Sequence, residues 1–144
     1  MTERYCEGER FADLSFTEET FEDCDFTDCV FADCSFTKCE LDHTTLKECS
    51  LKYNTFTEMN FNRFNFSNGN EIVGSMFAKC EMQLANFKGV ELHETEFYQC
   101  DLRKADFRDA TGYKVDILGS RLKDAKFSLP EAVNLLADLK IKLS

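Results

Sequence analysis

The chain has 144 residues, 43% of them hydrophobic, and its 27 acidic and 17 basic residues give a formal net charge of −10 at pH 7. This length fits one domain with its own core. The acidic balance argues against direct binding to nucleic acid and against attachment to an anionic membrane surface, because both depend on basic patches.

The sequence gives no signal for export or for membrane insertion. Residues 1–11 are polar and acidic, and no run of 18 apolar residues occurs in the sequence. We therefore expect a cytoplasmic protein. In that compartment the eight cysteines stay reduced and behave as small buried residues.

A period of five residues runs through most of the chain. Every fifth position from Phe11 to Phe66 is phenylalanine or leucine, and after a six-residue step to Ile72 the period continues to Phe127. Of these 24 positions 23 are large and apolar, and Gly112 is the exception. Neither a helix nor a flat strand has this period, whereas a solenoid of short repeats does.

The residue two positions before each large one is usually small, and it is often cysteine. Residues two apart in a strand point to the same side, so we expect the small residue to point inward beside the large one. The residues between and after them are mostly polar and are expected to face outward.

This pattern resembles the pentapeptide-repeat family, whose consensus is a small residue, Asp or Asn, Leu or Phe, and two polar residues. The segments ANFKG (85–89), ADFRD (105–109), CDFTD (24–28) and CDLRK (100–104) match it. The resemblance covers roughly residues 9–128. It implies an all-β fold, a right-handed quadrilateral β-helix of about six coils with four repeats per coil.

Residues twenty apart would then stack in columns. One column is expected to contain Phe16, Phe36, Phe56, Phe77, Phe97 and Ile117, and another Phe26, Leu46, Phe66, Phe87, Phe107 and Phe127.

Three segments are expected along the chain. An N-terminal cap covers residues 1–8, the β-helix covers 9–128, and a C-terminal helix with a short strand covers 129–144. The β-helix has a break near 67–71, where Asn68, Gly69 and Asn70 tolerate left-handed turn conformations. A second irregularity is expected at 110–115, where we interpret Gly112 as part of a local bulge.

The C-terminal segment is predicted to form an α-helical cap. Ser128 and Glu131 match a capping box, and alternating apolar and lysine residues in 139–143 predict a strand. The helix either only covers Leu122 and Phe127 or also joins two chains about a two-fold axis, because it is apolar on several sides. A similar helix and strand dimerise Qnr-type quinolone-resistance proteins of this family. The candidate dimerisation residues are Val133, Leu135, Leu136, Leu139 and Ile141.

Cys24, Cys29, Cys34 and Cys39 are close enough in sequence to suggest a metal site or disulfides. A zinc site needs its sulfur atoms about 3.8 Å apart, whereas the β-helix places one cysteine on each face with large side chains between them. We therefore predict buried thiols, with no metal and no cofactor.

Enzymatic function is not indicated by the remaining polar residues. His43 and His93 each follow a core leucine at outward positions, and we expect both to be exposed. No phosphate-binding loop, nucleophile–base set or recognisable carboxylate pair is present.

Shape and charge therefore remain as the basis of function. Residues 1–66 hold 15 acidic and 6 basic residues, a net charge of −9, whereas residues 67–144 hold 12 and 11, a net charge of −1. The candidate partner-binding residues lie in the acidic part and are Glu22, Asp23, Asp25, Asp28 and Asp33.

Two partner classes are considered. Resemblance to the Qnr-type branch implies an acidic rod that imitates DNA, binds DNA gyrase and topoisomerase IV, and confers quinolone protection. The uneven charge and the lack of an insertion long enough for a projecting loop depart from that pattern. The alternative is a scaffold or regulatory protein that binds an unrelated protein partner.

Overall fold

The computed structural model of the chain describes residues 1–139 and shows a parallel β-solenoid of about six turns. Each turn holds four short segments joined by sharp corners. The strands are β1 (Tyr5–Glu7), β2 (Arg10–Ala12), β3 (Ser15–Thr17), β4 (Thr20–Glu22), β5 (Asp25–Thr27), β6 (Val30–Ala32), β7 (Ser35–Thr37), β8 (Glu40–Asp42), β9 (Thr45–Lys47), β10 (Ser50–Lys52), β11 (Thr55–Thr57), β12 (Glu71–Val73), β13 (Met76–Ala78), β14 (Glu91–Tyr98), β15 (Asp106–Phe107), β16 (Thr111–Val115) and β17 (Lys126–Phe127). A 3₁₀ helix, Glu131–Leu139, follows them.

Strands one coil apart pair in parallel, and equivalent residues are 20 positions apart over the first three coils, as in Phe16 with Phe36 and Phe26 with Leu46. The solenoid therefore has four faces, which we name by their core residues. Face A carries Phe21, Leu41, Phe61, Met82, Leu102 and Leu122; face B carries Cys6, Phe26, Leu46, Phe66, Phe87, Phe107 and Phe127; face C carries Phe11, Phe31, Leu51 and Ile72; face D carries Phe16, Phe36, Phe56, Phe77, Phe97 and Val115. The prediction of an all-β solenoid is confirmed.

The core is a set of stacked apolar columns along the axis of the solenoid. On face D the Phe56 ring lies 5.1 Å from that of Phe36 and 4.7 Å from that of Phe77, at interplanar angles of 13°. These distances match the spacing of neighbouring strands, about 4.8 Å. The same translation from one coil to the next, about 4.8 Å, therefore stacks the aromatic rings and pairs the backbone strands.

The inward cysteines are buried, and their thiols donate hydrogen bonds to backbone carbonyls. The Cys29 thiol donates to the carbonyls of Thr27 at 3.4 Å and Cys6 at 3.3 Å, one in its own coil and one in the coil before. Thr44 and Asn54 occupy equivalent positions and donate to Phe21 and Phe31 in the same way. The predicted inward orientation is confirmed, and the position also has a hydrogen-bonding role.

The first coil begins earlier than expected, because residues 1–8 do not form a separate cap. β1 pairs with β5, with Cys6 opposite Phe26, and Thr2 bridges to Glu22. Cys6 is five residues before Phe11, so the period continues upstream with a smaller residue in the large position.

The six-residue step adds one residue to a coil without breaking the sheet. Ser50 pairs with Glu71, 21 residues away, and Gly69 has a φ of 73°. Asn70 is buried, and its side chain accepts from the Cys49 N–H and donates to the Leu46 carbonyl, both at 2.9 Å. This side chain satisfies backbone groups on the inner side of the step.

The irregularity near Gly112 is a bulge, as interpreted from the sequence, but its core residues differ from those expected. The register between β14 and β16 shifts, so that Phe97 pairs with Val115 and not with Ile117. Tyr113 and Val115 are buried, whereas Gly112 is exposed. The expected column ending in Ile117 is therefore wrong at its last member.

The C-terminal segment is a 3₁₀ helix and not the predicted α-helix. The capping box is not formed, because both side chains bind the preceding coil: the Ser128 hydroxyl accepts from the Asp109 N–H at 3.1 Å, and the Glu131 carboxylate accepts from the Gly112 N–H at 3.3 Å. The predicted strand and Ile141 lie outside the described residues. Within residues 1–139 no helix is long and apolar enough to cross a membrane.

Candidate partner-binding surface

The five acidic residues predicted to bind a partner surround one coil and do not share a face. Glu22 lies on face A, Asp23 at the corner between faces A and B, and Asp25 on face B. Asp28 and Asp33 lie at the next two corners. Each five-residue repeat advances the chain by a quarter turn, so acidic residues that are close in sequence are distributed around the circumference of the solenoid.

Asp23, Asp28 and Asp33 lie at corners with left-handed backbone conformations. Their φ angles are 53°, 53° and 55°, and all three residues are exposed. Aspartate is among the residues that adopt this conformation most readily. The corners therefore explain both why aspartate recurs at this position and why its carboxylate reaches solvent.

We define the strip as the outward residues of faces A and B with the corner between them. In coils 1–3 the strip holds seven acidic residues and one base, Lys47, a net charge of −6, whereas all other positions in residues 1–58, among them the exposed Arg4 beside Glu3, together add −4. The acidic half of the strip comprises Glu3, Glu7, Glu22, Asp23, Asp25, Glu40 and Asp42.

The acidic half of the strip has little internal neutralisation. Within residues 1–139 its ion-pair contacts are those of the His43 imidazole, which lies 3.2 Å from Asp42 and 3.8 Å from Asp23. Six of the seven acidic residues are exposed, and Asp25 is half-buried and accepts from the Thr45 hydroxyl. This surface therefore presents a dense negative charge to solvent.

Two acidic residues of coil 6 form ion pairs with a basic residue on their own face. Arg103 forms two hydrogen bonds to Asp101, at 2.9 and 2.7 Å, and Arg108 forms two to Asp106, at 3.0 and 2.8 Å. These guanidinium groups hold the pKa of both carboxyls below the usual value. The two halves of the rod therefore differ in the number of acidic residues and also in whether those residues are paired with arginine.

The described interior offers no polar pocket along the axis. A cavity of about 30 Å³ lies between coils 2 and 4 and is lined only by phenylalanine and leucine. It occurs where Leu41, Leu46 and Leu51 replace the phenylalanines of the previous coil. His43 and His93 are exposed, as predicted, with His93 3.6 Å from Glu91.

The predicted dimerisation residues differ in their surroundings. Leu135 packs against the core, and Leu136 is half-buried. Val133 and Leu139 are 41% and 44% exposed. A 3₁₀ helix has three residues per turn, so Val133, Leu136 and Leu139 form one apolar ridge. Sequence reasoning included all of them but assumed an α-helical period.

The sequence and structure can now be compared with known proteins. The family model described as pentapeptide repeats (8 copies) matches residues 15–52, 29–68, 73–103 and 91–128. The chain belongs to the pentapeptide-repeat family. No curated protein matches this member at the level of sequence.

This pentapeptide-repeat protein is also similar to solved structures at low identity. Full-length QnrB1, a plasmid-mediated fluoroquinolone resistance protein, is 17% identical, with 98% of this chain and 99% of that chain covered and a TM-score of 0.29. A trypsin-treated variant of QnrB1 is 15% identical, with 98% and 99% covered and a TM-score of 0.34. A pentapeptide-repeat protein from the thylakoid lumen of Arabidopsis thaliana is 14% identical, with 90% and 76% covered and a TM-score of 0.49.

Proposed function

We propose that this pentapeptide-repeat protein is a nonenzymatic cytoplasmic interaction protein that binds a basic protein surface through the acidic half of the strip. The observation that carries the proposal is the net charge of −6 on two adjacent faces of coils 1–3. A rigid array of carboxylates costs little ordering entropy on binding and attracts a cationic partner at long range.

The first candidate partner is a type II topoisomerase, DNA gyrase or topoisomerase IV, whose DNA-binding surface is basic. Three coils extend over about 14 Å, and a DNA duplex of that length carries about eight phosphate charges. The seven carboxylates of the acidic half approach this density. Averaged over the whole rod, the charge is only about half that of DNA, so any imitation of DNA is confined to the first three coils.

A supercoiling assay with DNA gyrase tests this candidate. The protein is expected to reduce quinolone inhibition in a salt-dependent manner, because exposed ion pairs are screened by salt. The strip variant, with Glu22→Lys, Asp23→Lys and Asp25→Lys, should lose the protection. The control variant, with Glu9→Lys, Asp13→Lys and Asp33→Lys, changes the net charge equally on other surfaces and should keep it. Protection that survives in the strip variant would contradict the proposal.

The second candidate is a scaffold or regulatory role with an unrelated protein partner. It is favoured by the charge distribution, because coils 4–6 are close to neutral and do not continue the acidic surface. Capture of partners from a lysate distinguishes the two candidates. Recovery of a topoisomerase supports the first, and recovery of another protein by the same acidic residues supports the second.

We also propose that two chains associate through the C-terminal ridge of Val133, Leu136 and Leu139. The proposal is supported by the exposure of Val133 and Leu139, whereas Leu135 of the same helix packs against the core. Apolar side chains in such a ridge lose water-exposed area on pairing. The mass measured in solution should be that of a dimer and should fall to that of a monomer when Val133 and Leu139 are replaced by lysine.

A further inference from the structure

The strip changes sign along the rod. From coil 4 onward it holds eight basic and four acidic residues, a net charge of +4, after −6 in coils 1–3. The basic half of the strip comprises Arg63, Lys88, Arg103, Lys104, Arg108, Arg121, Lys123 and Lys126, with Glu81, Asp101, Asp106 and Asp124 among them. All eight basic side chains except the half-buried Arg103 are exposed.

The change of sign is centred on coil 4. There the strip carries Asn60, Asn62, Asn65 and Ser67, all uncharged, with Arg63 at the corner. Asn60 and Asn65 each accept a hydrogen bond from the N–H two residues later, at 3.1 and 2.8 Å, which fixes their orientation. The strip therefore has an acidic half, a polar centre and a basic half at regular spacing.

When the rod is turned end over end about coil 4, coils of opposite charge face each other at two of the three pairs of coils. Coil 1 carries −2 on the strip, and the partial coil 7, which ends at face B, carries +2. Coil 2 carries −3, and coil 6 carries +1; coil 3 carries −1, and coil 5 is neutral. Because coils repeat about every 4.8 Å in both rods, alignment of one pair of coils also aligns the others.

We propose that the strip docks a second copy of this chain, side by side and antiparallel, about a two-fold axis that crosses coil 4. A two-fold contact requires one surface that is complementary to itself. The strip meets this requirement because the acidic half of each copy faces the basic half of the other. Glu22, Asp23 and Asp25 of one copy then face the coil that carries Lys104 and Arg108 of the other.

This pairing differs from contact through the C-terminal ridge. It uses the side of the rod, and it places the two C-terminal helices at opposite ends of the pair. It also covers the acidic half of the strip, so self-association and binding of the partner proposed above exclude one another. The pairing depends on exposed charges and is therefore expected to be reversible and sensitive to salt.

Sedimentation equilibrium of charge-reversed chains tests the pairing, on a background with Val133→Lys and Leu139→Lys to remove contact through the ridge. At an ionic strength of about 0.1 M the Debye length is about 10 Å, which screens repulsion between the net charges of the copies but leaves facing charges active. The background chain should double its mass at high protein concentration there and be monomeric at about 1 M, where the Debye length is about 3 Å.

Two reversals make the test specific. The acidic reversal, Glu22→Lys, Asp23→Lys and Asp25→Lys in coil 2, and the basic reversal, Arg103→Glu, Lys104→Glu and Arg108→Glu in coil 6, should each abolish pairing alone. An equimolar mixture should restore it, because the reversed coil 2 of one chain then faces the reversed coil 6 of the other, while coils 1 and 7 keep their opposite charges. Reversal of Glu9, Asp13 and Asp33 should leave pairing unchanged.

Unfolding curves establish that each variant is folded, and the mixture experiment does not require that either variant pairs alone. The proposal is overturned if the background chain stays monomeric at about 0.1 M, a tenfold lower ionic strength than the high-salt arm. It is also overturned if the mixture remains monomeric or if doubling of the mass persists in both single reversals. The failure of gyrase protection would leave this result unaffected, because the assay contains no partner protein.

Discussion

Single residues at the inward position two before each large residue connect neighbouring coils. Cysteine, threonine and asparagine all occur there, and each donates to a carbonyl 23 residues earlier, as Cys29, Thr44 and Asn54 show. Burial raises the pKa of the Cys39 and Cys49 thiols, so both remain protonated donors at neutral pH. The recurrence of cysteine is thus explained by size and hydrogen bonding.

Replacement of Cys29 or Cys34 by alanine is expected to lower the free energy of unfolding by about 1 kcal/mol each, through loss of a buried sulfur and its hydrogen bonds. Serine keeps a donor of similar size, so it should preserve the contacts to Thr27 and Cys6 better at position 29. Urea denaturation measures both changes. Loss of partner binding in a folded alanine variant would contradict a purely structural role.

Tyr113 carries a polar atom that is poorly accommodated in the described structure. Its hydroxyl is buried without a hydrogen-bond partner in the described structure, and burial, together with the charge of Glu131, raises its pKa to about 12. Tyr113→Phe removes an unsatisfied polar atom and keeps the ring, so we expect unchanged stability or a gain of about 1 kcal/mol at neutral pH.

The same tyrosine predicts a dependence on alkaline pH. Its pKa is higher in the folded protein than the value of about 10 in the unfolded chain, so its contribution to stability is fully present below pH 10 and is lost as the pH rises through 12. Urea midpoints measured across this range should fall less in Tyr113→Phe than in the wild type. Equal losses in both would contradict the assignment.

Among the larger elements, the bulge between β14 and β16 shows where the period no longer determines the core. The sequence places Gly112 in the series of large residues, but the register shift brings Tyr113 and Val115 inward instead. Counting positions in the sequence cannot reveal this shift, because residues 92–94 of β14 lie opposite the single residue Gly112 of β16. The nearby tyrosine and valine were the available signal.

Gly112 is expected to tolerate a side chain less well than Gly89. It has a φ of 76°, and an added Cβ would lie 3.1 Å from the Cα of His93, whereas Gly89 has a φ of 73° and no atom within 4 Å of its added Cβ. Gly112→Ala should therefore cost about 1 to 2 kcal/mol more than Gly89→Ala, because only Gly112 adds a backbone contact to the conformational strain. Thermal unfolding of the two variants provides the comparison, and equal costs would contradict the bulge geometry.

The C-terminal element illustrates a different limit of sequence reasoning. Ser128 and Glu131 have the spacing of a capping box, yet each side chain binds an N–H of the preceding coil. The exposed edge of the last coil offers unpaired donors that compete with the helix for these acceptors. Local spacing alone could not include that competition.

For the whole molecule, the winding of the chain determines which residues act together. The large inward residues follow from the period of five and the acidic N-terminal half from composition, whereas the coil number and the columns also required the family resemblance. The grouping of the site does not, because Asp25 and Asp33 are eight residues apart and lie on different sides of the rod, whereas Glu3 and Asp23 are neighbours in adjacent coils. Residues can be assigned to faces only from the register in which the strands of neighbouring coils pair.

The central claim is that partner binding resides in the acidic half of the strip. Capture of proteins from a lysate by immobilised wild-type chain, strip variant and control variant tests it most directly, because the two variants raise the net charge equally. We predict that wild type and control variant recover the same partner and that the strip variant loses it. Equal recovery by the strip variant, or equal loss in both variants, would contradict a localised site on faces A and B.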